Sequence, residues 1–553
     1  MTNEITLSIP EIARPDRIDS HKIALQLDGT EITYGELDES ADNVAAYLLG
    51  TGVKPHERIV IVGRNSLESI IVLIGVARVG AVSAFINWRL LPCEIAPLIR
   101  DCEPRVVFSD KDFAAAVSSG ADSTTSLRIV AMESVLGDAG PQQWREDAPP
   151  RNARATRALL IGDLARTHPL GPPKQEAGNA PSAETTKADR ETASLAALQL
   201  YTSGTTGLPK GAILTRAGLS DSLIDALDFW GVDQESVVLS VLPMYHIAGL
   251  GLAIATLWAG ASLVISTDAS ASATLRYVES AGVTHLILAS SMLQESVADR
   301  AFESTDFSSL QTLSYGAAPI TVSELQRAIR FLSCRIVQPY GLTETSGVLT
   351  LLDDEDHRHA EARPKLRHRL ASCGKARPGV ELRLVDPSTG LAVAEGEAGE
   401  IQVRSTRVMS GYWRLPEATA DAIIDGNWFR TGDVGTMDAD GYVTLIDRLK
   451  DIIISGGENI YPQEVEIVLR AHPQVLDVAV VGAPHDKWGE TPIAVIVAAS
   501  GPPLDSEAII QFARARLAHY KCPTAVLLLD ALPRNATGKV LRKELRSTIA
   551  SSL

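Results

Sequence analysis

The chain has 553 residues, more than one ordinary hydrophobic core accommodates, so we expect a large body of subdomains and at least one smaller unit. Its 45% hydrophobic and 22% charged residues are typical of a soluble globular protein. A net charge of -17 without a long basic run argues against a nucleic-acid binder, because neutralising phosphates requires grouped Lys and Arg. The five cysteines form no CxxC pair, which favours a reducing compartment and no structural zinc.

The sequence predicts a cytoplasmic protein without a membrane span. Residues 1–17 have acidic residues and two prolines where a signal peptide needs a basic start and an apolar core. The uncharged stretch 247–267 is long enough to cross a bilayer. However, Gly249, Gly251 and the Ala259-Gly260 pair interrupt it, which predicts a helix and then a short strand, both buried in an α/β core.

The first elements indicate an α/β fold. A hairpin is predicted from IALQL, DG and EITY, followed by a helix over ELDESADNVAAYLL. Four strand candidates, RIVIV, AVSAF, RVVFS and RIVAM, then alternate with helical stretches. This alternation predicts βαβ units and parallel-rich sheets, which place ligands at the strand ends.

The domain organisation is predicted from changes in composition. Residues 166–194 are rich in Pro, Gly, Ala and charge, without periodicity, which predicts an exposed or flexible loop. Near Asp447 the pattern changes again, and a compact series of helix and strand candidates follows. We therefore expect a large N-terminal domain (1–446), a hinge (447–451) and a small, mobile α+β C-terminal domain (452–553).

The run YTSGTTGLPKG, residues 201–211, is the first functional motif. Its glycines allow backbone N–H groups to face an anion, its hydroxyls add donors, and Lys210 adds a positive charge. The spacing does not fit a Walker A loop or a kinase glycine-rich loop. A phosphate-binding loop is favoured over a simple glycine-rich turn, but the run alone names no reaction.

Read together with later motifs, this loop resembles that of the adenylate-forming superfamily, which includes acyl-CoA synthetases, peptide-synthetase adenylation domains and beetle luciferases. The later motifs occur in the order typical of the family and cover roughly the last two thirds of the chain. They are LPMYH (242–246), SYGAAP (314–319), QPYGLTET (338–345), GEIQVRS (399–405), WFRTGDVG (428–435), DRLKDIIISGGENIYPQEVE (447–466) and PRNATGKV (533–540). Taken alone, each motif could be an ordinary turn or a solvated surface charge. Their joint occurrence favours functional roles over these structural explanations.

The resemblance implies a role for each matching residue. Residues implied in nucleotide binding are Thr202, Ser203, Gly204, Thr205, Thr206, Gly207, Lys210, Gly316, Ala317, Ala318, Pro319, Tyr340, Gly341, Thr343, Asp433 and Arg448. Among them, Lys210 would meet the outer phosphates, Thr343 the α-phosphate and Asp433 the ribose hydroxyls. Glu344 would bind Mg²⁺, and Lys539 would bridge the acyl carboxylate and the α-phosphate as the leading catalytic residue.

The same resemblance implies motion between two half-reactions. The small domain would rotate about Lys450, so that Gly456 and Gly457 line the approach of the thiol. His246 and Gly249 would lie at the acyl pocket or thiol tunnel, although a histidine packed among apolar neighbours is also common. An FDxS motif, which pairs with a substrate ammonium, is absent from LPMYHIAG, and no cation is near it in sequence, so an apolar fatty or aryl acid is expected.

The function implied is that of an acyl-CoA synthetase using ATP, Mg²⁺ and coenzyme A. The alternatives are an acyl-AMP ligase that loads a separate carrier protein, a luciferase-like oxygenase and a catalytically silent adenylate-binding protein. The complete set of phosphate, metal, ribose and lysine residues disfavours the silent protein. The identity of the acid and the oligomeric state stay open.

Overall fold

The computed structural model describes residues 7–120, 127–132, 195–202, 209–317, 320, 322–455, 458–485, 487–534 and 539–552. The predicted loop 166–194 lies outside these ranges. The strands, in chain order, are β1 Ile23–Leu27, β2 Thr30–Thr33, β3 Arg58–Val62, β4 Val82–Ile86, β5 Val106–Ser109, β6 Arg128–Ala131, β7 Ala196–Thr202, β8 Lys210–Thr215, β9 Val237–Ser240, β10 Ser262–Ile265, β11 His285–Ala289, β12 Thr312–Gly316, β13 Arg335–Leu342, β14 Gly347–Leu352, β15 Lys375–Ala376, β16 Glu381–Val385, β17 Gly399–Arg404, β18 Gly411–Tyr412, β19 Ile423–Ile424, β20 Trp428–Met437, β21 Val443–Arg448, β22 Ile453–Ser455, β23 Glu458–Ile460, β24 Val475–His485, β25 Gly489–Ala498 and β26 Ala525–Leu528.

The helices pack on these strands, and some of them begin at a side chain that caps the helix. In chain order they are α1 Tyr34–Gly50, α2 Leu67–Arg78, α3 Pro92–Cys102, α4 Ala114–Gly120, α5 Arg216–Trp230, α6 Ile247–Trp258, α7 Ala271–Ser280, α8 Ser290–Ala298, α9 Val322–Phe331, α10 Asp354–Ala362, α11 Pro416–Ala422, α12 Pro462–Arg470, α13 Ser506–Arg514 and α14 Arg542–Ser552. Thr33 caps α1 in a reciprocal capping box with Glu36, and Thr215 caps α5.

Two large sheets form the body of the chain. One has seven strands in the order β18-β8-β7-β4-β3-β5-β6, and the other has nine in the order β15-β14-β13-β12-β11-β9-β10-β1-β2. Their central strands are parallel. Antiparallel pairs lie at both edges of the nine-stranded sheet and at one edge of the seven-stranded sheet, whose other edge strand, β6, is parallel to β5. A continuous apolar core, including α2 and α6, packs on both sheets. The predicted α/β class is therefore confirmed.

Two smaller sheets complete the fold. Strands β16, β17, β20 and β19 form one antiparallel sheet in which β21 also pairs with β20. From Ile453 onward the strands belong to a separate sheet, β23-β22-β25-β24 with β26 on β25, and α12 and α13 share its core. The 3₁₀ turn Leu449–Asp451 lies between the two sheets. The domain limits 1–446, 447–451 and 452–553 stay predictions.

The uncharged stretch near residue 250 folds as two buried elements. Helix α6 contains Gly249 and Gly251 and ends at Trp258, and β10 then enters the nine-stranded sheet. Within the described ranges, no helix is both long and apolar enough to cross a membrane. The sequence-based interpretation of 247–267 as a helix followed by a strand is therefore confirmed.

Candidate active site

The two large sheets both contribute side chains around Glu344. This residue lies in the 3₁₀ turn Thr343–Thr345, directly after β13. Its Oε1 accepts hydrogen bonds from Thr202 Oγ1, at the end of β7, at 2.9 Å and from Tyr412 Oη, on β18, at 3.0 Å. The Lys210 ammonium lies 4.9 Å from the centre of the Tyr412 ring. The structure thus brings Thr202, Lys210 and Glu344 together, as the resemblance implies.

Tight backbone packing fixes the chain that leads into this turn. A Cβ on Gly341 would lie 1.6 Å from the carbonyl oxygen of Gly347 on the paired strand β14, so no other residue fits there without moving the strand. The backbone N–H of Met409 also donates to the carbonyl oxygen of Glu344 at 2.7 Å. Glu344 is therefore held through its backbone and through one oxygen of its carboxylate.

A second cluster forms around Asp433, which is 5% exposed. Asp433 on β20 is the cross-strand partner of Arg448 on β21, and Arg448 Nε lies 2.6 Å from Asp433 Oδ1. The other oxygen, Oδ2, accepts a hydrogen bond from Tyr340 Oη at 2.6 Å. Burial, followed by Asp433, raises the pKa of Tyr340 well above its ordinary value, so the phenol remains a donor.

Lys539 lies beside this second cluster. Burial, and next the positive charge of Arg448, lower the pKa of Lys539 to about 8, while Asp433 acts in the opposite direction. These electrostatic effects require the lysine to lie close to both side chains. A lysine from the C-terminal region therefore shares one site with Asp433, 106 positions earlier in the chain.

The donor set around Glu344 fits a magnesium ion. Carboxylate and hydroxyl oxygens are the ligands that Mg²⁺ prefers, and its protein sites often supply one or two carboxylates while substrate phosphates complete the shell. Both hydrogen bonds from described side chains go to Oε1 of Glu344, which leaves Oε2 for a cation. Over the described residues there is no group of three or more His, Cys, Asp or Glu that forms a metal cage. The oxygen ligands at Glu344 therefore fit a magnesium ion whose shell is completed by substrate phosphates.

Hydrogen bonds hold Tyr201, near the end of the strand that precedes the phosphate loop. Tyr201 Oη donates to Asp101 Oδ2 at 2.6 Å and accepts from Gln199 Nε2 at 3.1 Å. Trp413, next to Tyr412, donates from its indole N–H to the Asp101 carbonyl at 2.9 Å. Sequence reasoning did not identify this support, because its members come from three distant segments.

The segment that carries His246 is held by an asparagine. Asn65 donates to the carbonyl of Leu242 and accepts from the N–H of Met244, both at 2.9 Å. A Cβ on Gly249 would lie 2.4 Å from the Pro243 carbonyl oxygen, so this glycine permits a close approach of the chain. His246 itself is the residue preceding α6.

Two neighbouring buried side chains have polar atoms without a hydrogen-bond partner among the described residues. They are His246, at Nε2, and Tyr245, at Oη, and their ring centres lie 4.6 Å apart. Burial, and then the charge of Arg89, lower the pKa of His246 to about 4. The sequence has no cation near this segment, but the fold brings Arg89, which is distant in sequence, close to His246.

The remaining predicted residues divide into two groups. Gly316 ends β12, Ala317 follows it with a left-handed φ of 66°, and Lys450 lies in the 3₁₀ turn between the two small sheets, where burial lowers its pKa. The others lie outside the described residues: Ser203, Gly204, Thr205, Thr206, Gly207, Ala318, Pro319, Gly456 and Gly457.

With this geometry established, the chain can be compared with known proteins. The family model described as "AMP-binding enzyme" matches residues 14–413, and "AMP-binding enzyme C-terminal domain" matches residues 464–539. The chain is an AMP-binding enzyme. Indoleacetate–CoA ligase of Aromatoleum aromaticum is 33% identical, over 98% of this chain and 97% of the relative. Feruloyl-CoA synthase of an Amycolatopsis species is 34% identical, over 96% and 97%.

A solved structure agrees with these relatives. ATP-bound MatB from Rhodopseudomonas palustris superposes with a TM-score of 0.82 at 27% identity, covering 98% of this AMP-binding enzyme and 99% of MatB. The expected superfamily and the expected class, an AMP-forming acid–thiol ligase, are therefore confirmed. The roles of individual residues in this AMP-binding enzyme stay predictions.

Proposed function

We propose that this enzyme activates an aryl carboxylic acid that bears a polar group, and transfers the acyl group to coenzyme A. The observation that carries the site assignment is the burial of Lys539 beside the Arg448–Asp433 pair. A charged lysine is costly to bury unless the site has a use for it. Here it would meet the acid and the α-phosphate.

In the first half-reaction, a carboxylate oxygen of the acid attacks the α-phosphorus of ATP. The bond from that phosphorus to the bridging oxygen breaks, and pyrophosphate leaves. Negative charge accumulates on the oxygens around phosphorus, so a fixed cation lowers the barrier. Lys539 supplies this charge, Thr343 donates to the α-phosphate, and Lys210 meets the outer phosphates.

The two carboxylates of the site would bind different parts of ATP. Asp433, oriented by Tyr340 and Arg448, accepts hydrogen bonds from the ribose hydroxyls. Glu344 would hold Mg²⁺, which when bound offsets phosphate charge. Residues 316–319 and Tyr340 would flank the adenine, and the loop 202–207 would bind the outer phosphates.

In the second half-reaction, the thiolate of coenzyme A attacks the acyl carbon and AMP leaves. The thiol would approach along Gly456 and Gly457 after rotation of the C-terminal region about Lys450. Lys450 lies in a 3₁₀ turn between two sheets, a suitable place for a hinge. Lys539 would leave the site in this step, so it serves only the first half-reaction.

The acid is inferred from the surroundings of His246. The buried Tyr245 hydroxyl and His246 Nε2, which have no hydrogen-bond partner among the described residues, would be costly against a purely apolar ligand. The nearby charge of Arg89 likewise disfavours a plain alkyl chain. The two relatives named above are ligases for indoleacetate and ferulate, aryl acids with hydrogen-bonding groups. A polar aryl acid therefore fits better than the fatty acid that the sequence left open.

The test is a panel of carboxylic acids supplied with ATP, Mg²⁺ and coenzyme A, with detection of acyl-AMP and acyl-CoA by mass. Indole-3-acetate and ferulate are expected to give thioesters faster than their apolar analogues naphthalene-1-acetate and cinnamate, and faster than octanoate. Octanoate as the best substrate would overturn the acid assignment. Accumulation of acyl-AMP without thioester would overturn the assignment of coenzyme A and favour a carrier protein.

A further inference from the structure

One segment connects the Glu344 turn to the rest of the molecule. We call residues 405–413 the strap. Its Met409 N–H donates to the Glu344 carbonyl at 2.7 Å, and its Trp413 N–H donates to the Gly211 carbonyl at 2.7 Å. It also carries Tyr412, whose hydroxyl donates to the Glu344 carboxylate. The strap therefore touches both the metal-site candidate and the strand that follows the phosphate loop.

A buried arginine anchors the strap at its other end. The Arg407 side chain is 1% exposed, and its three nitrogens donate to four acceptors. These are the carboxylates of Asp221 (3.2 Å) and Asp225 (3.0 Å) on α5, and the carbonyls of Val348 (2.9 Å) on β14 and Pro378 (3.1 Å). One guanidinium thus fixes α5, β14 and the residue-378 loop to the strap.

The contacts around Arg407 continue in both directions. Asp225 also receives a two-pronged ion pair from Arg377, with Nε 3.0 Å from both carboxylate oxygens. On the side of the active site, the hydroxyl of Ser346 donates to the Arg407 carbonyl at 2.8 Å. Ser346 has a left-handed φ of 53° and ends the 3₁₀ turn that carries Glu344. Arg407 is therefore linked to the Glu344 turn through Ser346 as well as through Met409 and Tyr412 of the strap.

The chemistry of arginine suits this task. Its guanidinium is planar, always charged and directs donors at fixed angles, whereas lysine offers a single mobile ammonium. Asp221 and Asp225 provide the charge that makes burial tolerable, and the carbonyls of Val348 and Pro378 satisfy the remaining donors. The four acceptors lie on α5, on β14 and in the residue-378 loop, so Arg407 acts on Glu344 through neighbouring residues.

We propose that Arg407 is a positioning residue for adenylation: it fixes the strap so that Met409 and Tyr412 hold Glu344 in place for Mg²⁺ and ATP. The inference rests on the proposed function, because it assumes that Glu344 serves the ATP-dependent half-reaction. It predicts a defect confined to that half-reaction. Transfer from a supplied acyl-AMP to coenzyme A needs neither ATP nor Mg²⁺ and is spared.

The test compares Arg407→Lys with Arg404→Lys. Arg404 lies three residues earlier and also forms an ion pair, with the exposed Glu381, but none of its side-chain contacts to the described residues leads to Glu344. In pyrophosphate exchange, Arg407→Lys should raise the apparent KM for Mg·ATP about 10-fold, while acyl transfer from supplied acyl-AMP changes less than about 2-fold. The control should match the wild type in both assays, and thermal melting shows whether each variant is folded.

Several results would overturn the proposal, and a different one would reject the proposed function. A folded Arg407→Lys variant with an unchanged KM for Mg·ATP overturns the proposal, and so does an equal loss in both half-reactions. If this variant does not fold, Ser346→Ala is the second test. It removes the hydrogen bond from Ser346 to the Arg407 carbonyl and leaves the buried Arg407 side chain with all its ion pairs. There a rise of about 3-fold in the KM for Mg·ATP supports the proposal, and no rise overturns it. Failure of the wild type to exchange pyrophosphate with any acid would instead reject the proposed function.

Discussion

The two carboxylates of the site, Glu344 and Asp433, are held in opposite ways. Asp433 is buried, and its two oxygens bind a guanidinium from Arg448 and a phenol from Tyr340. Glu344 is half-buried, and its carboxylate receives hydrogen bonds only from hydroxyls in the part of the chain that the structure describes. One acid is therefore neutralised by a neighbour, while the other is oriented without being neutralised.

This difference indicates different ligands. A hydroxyl donor orients a carboxylate but leaves its net charge, which is then available to attract a cation. A carboxylate paired with arginine keeps acceptor lone pairs but attracts a further cation weakly, so it suits neutral hydroxyls such as those of ribose. We therefore expect Glu344 to bind the metal ion and Asp433 to bind the ribose, and variants of the two residues test this division of roles.

The largest effect is expected for Lys539→Ala. Lys539 lies with the Asp433 cluster and supplies the charge that the phosphoryl transition state requires. Its loss should reduce pyrophosphate exchange by about 1000-fold, while transfer from supplied acyl-AMP to coenzyme A stays within a few-fold of the wild type. The control is Lys521→Ala, since Lys521 is in the same C-terminal region and pairs with Glu464. An equal loss in both half-reactions would reject the assignment of Lys539.

The next effect is expected for Glu344→Gln. The amide keeps an oxygen that accepts from Thr202 and Tyr412, so the turn should stay folded while the charge disappears. We expect pyrophosphate exchange to fall about 100-fold, with a higher Mg²⁺ concentration needed for half-maximal rate. Titration of Mg²⁺ at fixed ATP measures this. An unchanged Mg²⁺ dependence would show that Glu344 does not bind the metal ion. The proposed difference in role between Glu344 and Asp433 would then be wrong.

Much of the fold was predictable from the sequence because local patterns determined it. The DG hairpin, the apolar strands and the helix over ELDESADNVAAYLL all occur as expected, with the helix beginning slightly earlier, at Tyr34. Glu344, Asp433 and Lys539 were found because each stands in a contiguous motif. Tyr412, Arg407 and Arg89 were missed as site or support residues, because their roles depend on contacts between segments far apart in sequence. Burial and register, which create those contacts, are properties of the folded chain.

A moderate effect is expected for Asp433→Asn. The asparagine has one acceptor oxygen instead of two, so it cannot serve both ribose hydroxyls and Tyr340 equally. The KM for ATP should rise about 10-fold, and the preference of the wild type for ATP over 2′-deoxy-ATP should shrink. Kinetics with both nucleotides measure this. In Glu344→Gln the preference for ATP should persist, and its loss there would contradict the division of roles between the two acids.

The smallest effect is a pH dependence that links Lys539 to Asp433. Because burial and Arg448 lower the pKa of Lys539 to about 8, the lysine is charged below that pH and loses its proton above it. The kcat/KM of the adenylation half-reaction, which reports the free enzyme, should therefore be level below about pH 7, fall to about half at pH 8 and decline further above it. A level profile up to pH 10 would contradict this pKa.

The pH profiles of Asp433→Asn and Glu344→Gln show whether the two carboxylates affect the pKa of Lys539 differently. Asp433 raises the pKa of Lys539, opposing the effect of Arg448, so removing its charge in Asp433→Asn should move the decline to a lower pH. Asp433 is the carboxylate with the largest effect on the pKa of Lys539, so Glu344→Gln should lower the rate and move the decline less than Asp433→Asn does. If both variants moved the decline to the same pH, Glu344 and Asp433 would affect Lys539 equally. The separation between metal binding and ribose binding would then not hold.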